Sequence, residues 1–231
     1  MAMDTPATIA IIGAGPLGME AALYARYLGY DVEVFEQAEV GSGQLERGRG
    51  ERLAGPFREY CSVLALQALE AQHGPEGFPA LDAELTLEQW VDQYLRPLSE
   101  TDLLAAHIRR SSRVVEVRPL TADEIESLLE SGAAEDETGA AEKEEDGDWE
   151  EVVCEPLLVR LEEGGEEKRE YADVVIAATG AADAFPWPTD ARFLHRLGVK
   201  DGVAVSYREG LQQIRDLFAI LADRPTLDLY R

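Results

Sequence analysis

The sequence predicts an α/β fold with a central parallel sheet, a β-meander and a helical insertion. Three observations carry this. Residues 8 to 36, TIAIIGAGPLGMEAALYARYLGYDVEVFE, read as strand, glycine turn, helix and second strand. The run Asp173-Val-Val-Ile-Ala-Ala-Thr-Gly180 is apolar without alternation, as a strand covered on both faces must be. Between them, two polar-apolar stretches flank Gly164-Gly165, a hairpin turn.

The first unit sets the chemistry. Gly13 permits the tight turn out of the strand Ile9 to Ile12. Gly15 leaves the backbone open to a pyrophosphate, and Gly18 lets the helix lie close to the sheet. Pro16 suits a first helical turn, where no amide hydrogen is missed and the free N–H groups nearby face an anion. Small Ala22 extends the close packing, and Gly29 ends the helix. Val32 and Val34 alternate into the sheet before Glu36, whose carboxylate would accept from ribose hydroxyls and repel a 2′-phosphate. Strand, turn, helix, second strand and acid fall in register, so an adenine dinucleotide is the expected ligand.

Residues 38–107 read as an insertion with mostly helical signals. Thr86-Leu-Glu-Gln89 is a capping box that opens a helix through about Leu95, and Ser99-Glu-Thr-Asp102 opens another through about Arg109. Leu87, Trp90, Val91, Tyr94 and Leu95 share one face and read as core rather than as an aromatic platform. Gln44-Leu-Glu-Arg47-Gly-Arg49-Gly-Glu-Arg52, with Arg58 beyond, is a basic, Gly-rich cluster in an acidic chain. It reads either as an anion contact near the pyrophosphate or as a solvated loop with local Glu-Arg pairing.

Ser112-Arg-Val114-Val-Glu-Val117 reads as a strand. Glu130 to Glu151 then holds eleven acids and one Lys, a composition expected to form a mobile loop over 130–150. Glu151 to Leu161 and Lys168 to Tyr171 form the meander, which runs into the strand ending at Thr179-Gly180 on the carboxyl edge of the sheet, where ligands of open α/β sheets bind. Tyr207 to Leu221 is a terminal helix with Leu211, Ile214, Leu217, Phe218 and Leu221 on one face.

The 231 residues suit a single domain with a sizeable insertion, and 45% hydrophobic content supports a core. A formal charge of −25 argues against nucleic acid as a partner. No apolar run reaches the length of a membrane span and the N-terminus lacks a basic signal region, so a cytoplasmic protein is expected. Cys61 and Cys154 are isolated and read as ordinary reduced thiols.

On Gly13-Ala-Gly15-Pro-Leu-Gly18 with Glu36, Ser112 to Val117 and Ala178-Thr179-Gly180, the chain resembles the flavoproteins with two dinucleotide-binding domains, the superfamily of thioredoxin reductases and flavin-containing monooxygenases. The resemblance implies a Rossmann-like FAD-binding domain, FAD as cofactor, Val114 as the adenine contact and the Ala-Thr-Gly turn near the flavin. The cofactor-binding set is then Gly13, Gly15, Pro16, Leu17, Gly18, Glu36, Gln37, Gln44, Val114, Thr179 and Gly180. Only the FAD half is matched. Gly210 follows Gly180 by 30 positions, too few for the second nucleotide domain that complete members carry there. The expected function is a FAD-dependent oxidoreductase acting on a small molecule or with a separate electron donor. The alternative is a dinucleotide sensor or partner subunit without turnover. Direct NAD use lacks a Tyr-x-x-x-Lys pair to support it. His73, read in a loop, His107, read on a helix, and His195 have no partners at triad spacing, and no catalytic acid, base or metal ligand is named. Phe185-Pro-Trp187-Pro is a candidate wall of the ligand cavity.

Overall fold

The computed structural model describes residues 7–130, 156–180, 185–188 and 193–231. At its centre β1 (Thr8–Ile12) pairs in parallel with β2 (Asp31–Phe35) on one side and β7 (Val174–Ala177) on the other. β3 (Ile108–Arg109) extends the sheet beyond β2, and β8 (Leu194–Arg196) extends it beyond β7, giving the order β3-β2-β1-β7-β8. Ile9, Ile11, Val32, Val34, Val174, Val175 and Ile176 are wholly buried, which is why these strands read as apolar runs. The strand order reverses between β1 and β7, and a crevice opens there at the carboxyl ends.

α1 (Pro16–Tyr27) crosses from β1 to β2 and ends at Gly29, whose φ of +89° turns the chain back. The terminal helix α7 (Tyr207–Leu221) opens on a Ser206–Glu209 capping box. It packs on α1 through Tyr24 and Phe218, stacked 5.1 Å apart. A Cβ on Gly210 would stand 2.4 Å from Leu17 Cδ1, so glycine is what lets the two helices approach.

The insertion carries α2 (Ser42–Gly48), α3 (Val63–His73), α4 (Leu87–Trp90) and α5 (Arg96–Ser99). The Thr86–Gln89 capping box is present. The helix it opens does not stop near Leu95; a π-helical stretch, Val91–Leu95, joins α4 to α5. Its wider i→i+5 bonding loosens the ladder just where Pro97 has no N–H to give, and the chain stays helical past the proline. The helix expected from Ser99 to Arg109 is absent. Ser99 is buried at the end of α5, its hydroxyl donating back to the Arg96 carbonyl at 2.7 Å, and a 3₁₀ turn (Ala105–His107) leads into β3. Pairing of Ile108 with Val34 outweighs the local capping signal. His73 ends α3 rather than lying in a loop, and the Gly-rich basic cluster begins as helix α2.

β4 (Ser112–Pro119) leads into α6 (Ala122–Glu130). With β5 (Leu157–Glu163) and β6 (Glu166–Ala172) it forms the antiparallel meander. Gly164 and Gly165 both have positive φ, as a two-residue hairpin turn of the twisted kind requires. From residue 131 the acidic segment, with Cys154 and the start of the strand expected from Glu151, lies outside the described residues. Arg109 fastens the meander to the sheet edge: its guanidinium donates to Glu33 at 3.1 Å, to Glu163 at 3.0 and 3.3 Å and to Glu170, and lies 5.3 Å from the Phe35 ring centroid. A small hairpin, β9 (Val199–Lys200) and β10 (Val203–Ala204), precedes α7. No helix among the described residues is long and apolar enough to cross a membrane.

Candidate functional site

The crevice at the β1/β7 reversal is a cleft of about 1100 Å³. That is slightly above the roughly 300–1,000 Å³ usual for small-molecule sites. Its floor is the glycine turn. Gly13 takes φ +100°, and its N–H donates to the Phe35 carbonyl at 2.8 Å, tying the turn to β2. A Cβ on Gly18 would fall 1.9 Å from the Gly13 carbonyl oxygen, so this glycine is fixed by helix-to-turn packing. Gly15 differs from both. Its φ is an ordinary −76°, and a Cβ there would meet nothing nearer than the Ala178 carbonyl oxygen at 4.0 Å. Among the described residues nothing in the packing demands glycine at 15; the space it leaves faces the cleft. No side chain caps α1, so its first amides are left to solvent or ligand.

Glu36 stands at the end of β2, nearly buried. Its Oε2 accepts from the Ala14 amide at 2.8 Å and its Oε1 from the Ala38 amide at 3.0 Å. A carboxylate accepts about four hydrogen bonds, so acceptor sites remain for a ligand. The main chain of Glu36 bridges two strands, its N–H donating to the Arg109 carbonyl and its carbonyl accepting from Ser112, both at 2.9 Å. This fixes β4 beside the acid and brings Val114 into the cleft. A bulge between Val114 and Glu116 leaves Val115 unpaired, and both valines line the site.

Gly13, Gly15, Pro16, Leu17, Glu36, Gln37, Gln44, Val114, Thr179 and Gly180 all line this one cleft, although they come from five separate segments; Gly18 lies behind it in the packing. Phe185 and Trp187 line it too, their ring centroids 4.3 Å apart. None of the three histidines lines it. His195 lies on β8, where burial pulls its pKa down and leaves Nε2 without a hydrogen-bond partner.

Sequence reasoning missed a further wall, built by Tyr60, Trp90 and Tyr207. Behind it, Glu20 Oε1 accepts from Tyr207 at 2.5 Å and from Tyr94 at 3.0 Å, while Trp90 stacks on Tyr94. Burial pushes the Glu20 carboxyl above the usual carboxylate range, with the hydrogen bonds from its phenol neighbours opposing in part. The signal lay in Glu20 itself, an acid one helical turn from Pro16 on a helix that is otherwise apolar through Ala25. Cys61, whose thiol burial raises to about 12, is inert at neutral pH. Among the described residues no group of side chains is arranged to hold a metal ion.

The fold and cleft define an α/β architecture shared with FAD-binding flavoproteins. Solved structures with this fold include OTEMO complexed with FAD and NADP, 18% identical, with a TM-score of 0.50 and covering 81% of this chain but 28% of its own. A FAD-bound form of OTEMO is 19% identical, with a TM-score of 0.50 and coverage of 83% and 32%. Bacillithiol disulfide reductase from Bacillus cereus is 15% identical, with a TM-score of 0.47 and coverage of 83% and 47%. The present chain thus spans less than half of each. At 18–19% identity the likeness to the two OTEMO structures is one of fold. No family model matches the sequence, and no curated protein does.

Proposed function

We propose that this chain binds FAD in the β1/β7 cleft and serves as the FAD-binding unit of an oxidoreductase acting on a small molecule. The observation that carries the reading is Gly15, a glycine that the protein's own packing does not require, beside an uncapped helix N-terminus and an acid with free acceptor sites. These fit a pyrophosphate and its adjoining ribose. Gly15 and the first amides of α1 hold the phosphates, Glu36 orients the ribose, Val114 and Val115 meet the adenine, and Thr179-Gly180 with Phe185 and Trp187 enclose the remainder. When bound, the flavin supplies hydride or single-electron exchange, chemistry that no side chain provides. The protein's part is to orient the cofactor and keep water off one face of the cleft.

An absorbance spectrum and mass analysis of ligand released from freshly purified protein, followed by flavin-fluorescence titration of stripped protein with FAD, test this. A flavin spectrum and saturable FAD binding are expected. Binding of NAD with no response to FAD would replace the assignment, and an FAD-loaded protein that no donor reduces would favour the sensor reading.

A further inference from the structure

The structure sorts the basic cluster that follows β2. Arg49 pairs with Glu88 at 3.7 Å and Arg52 with Glu84 at 2.8 Å, so both have acidic partners at the surface. Arg47 differs: it makes no hydrogen bond or ion pair with the described residues, although the chain has 46 acids against 21 Lys and Arg. It lines the cleft. A Cβ on Gly180 would stand 3.2 Å from Arg47 Nη1, and one on Gly43 3.6 Å from its Nη2, so the guanidinium lies against the turn that ends β7. Two acids share the cleft, Glu36 and Glu46, and neither forms an ion pair with it; Glu36 accepts from the Ala14 and Ala38 amides.

We infer that Arg47 is an anion-recognition residue of the cleft, placed to bind an oxyanion beside Gly180 through its planar fork. This deepens the FAD reading and rests on the same cleft. The oxyanion is either the dinucleotide's own pyrophosphate or the carboxylate or phosphate of a second, small ligand seated next to it. Both are oxyanions that a guanidinium grips with two parallel N–H bonds, and both supply the direct ion pair that Arg47 lacks among the described residues.

The test uses the full chain, with Arg47→Gln and Arg47→Lys set against Arg113→Gln. Arg113 also lines the cleft without an ion pair, but on the Val114 side. If the pyrophosphate is the partner, Arg47→Gln weakens FAD and ADP binding about ten- to a hundredfold and leaves riboflavin binding unchanged, with Arg47→Lys between. If a second ligand is the partner, FAD affinity holds, and binding of malonate or inorganic phosphate to the FAD-loaded protein is lost in Arg47→Gln alone. The inference is overturned if Arg47→Gln matches the parent for every probe, or if Arg113→Gln causes equal losses, which marks a diffuse field rather than a site. Should the parent bind neither FAD nor ADP, the FAD reading fails by itself; malonate or phosphate binding that needs Arg47 still supports the inference, and its absence ends it.

Discussion

Glu36 Oε2 accepts a 2.8 Å hydrogen bond from the amide of Ala14, so the acid that ends β2 is bonded into the glycine turn that ends β1. On the proposed reading one carboxylate therefore both shapes the turn and meets the ribose. Glu36→Ala should cost about 2–4 kcal/mol of stability, because two amides lose their acceptor, and should weaken FAD binding at least tenfold. Glu36→Gln, which keeps an acceptor, should fall between. Urea unfolding with flavin-fluorescence titration checks both; unchanged affinity in Glu36→Ala would move the ligand elsewhere.

Gly15 and Gly18 should separate binding from folding. Gly18→Ala drives a Cβ to 1.9 Å from a backbone oxygen that cannot retreat, and should destabilise by more than about 3 kcal/mol. Gly15→Ala has room and an ordinary φ, and should cost about 1 kcal/mol or less while markedly weakening dinucleotide binding. Thermal melts of the two variants without ligand, then with FAD, measure the contrast.

Glu20 should make stability fall as pH rises. Its carboxyl is held above the ordinary 4.5 by burial, so the folded state keeps this proton to higher pH than the unfolded chain does. The contribution is fully present below the unfolded value and is lost as pH climbs through the folded one. Glu20→Gln keeps an acceptor for Tyr94 and Tyr207 without titrating. The Tm difference between variant and parent should shift in the variant's favour as pH rises from the ordinary 4.5 through the folded-state value. A pH-independent difference would show that folding does not raise the Glu20 carboxyl.

Arg109 should matter to stability with the opposite pH sign. It holds Glu163 down to about 2, so that part of the stability is present above the unfolded value of 4.5 and is lost as pH falls towards the folded one. Arg109→Gln leaves Glu33, Glu163 and Glu170 facing one another and should cost about 2 kcal/mol at neutral pH. The deficit should shrink in acid. Guanidinium is a poor probe because its salt screens the network; urea melts at low salt read it directly.

Glu163 and Arg109 also show where sequence reading stops. They lie 54 positions apart in two elements, β5 and β3, and the second was expected to be helix. A two-residue edge strand has no periodicity to detect, and only its ladder to β2 makes it a strand. β8 was missed for the same reason. Elements with long local patterns were legible: the first βαβ unit, the meander, the terminal helix from Tyr207 to Leu221 and the Thr86 capping box.

The sequence by itself determined the glycine turn, the acid after the second strand and the apolar strand that ends at Thr179-Gly180, because each rests on backbone rules acting within a few residues. Only the tertiary structure decided that these meet in one cleft, that Glu20 is buried behind Tyr207, and that Arg47 is the cluster arginine that lines the cleft, with no partner among the described residues. Burial and pairing depend on what distant segments bring to the same place, and a carboxylate 30 or 40 positions away leaves no mark on the local pattern of the arginine it neutralises.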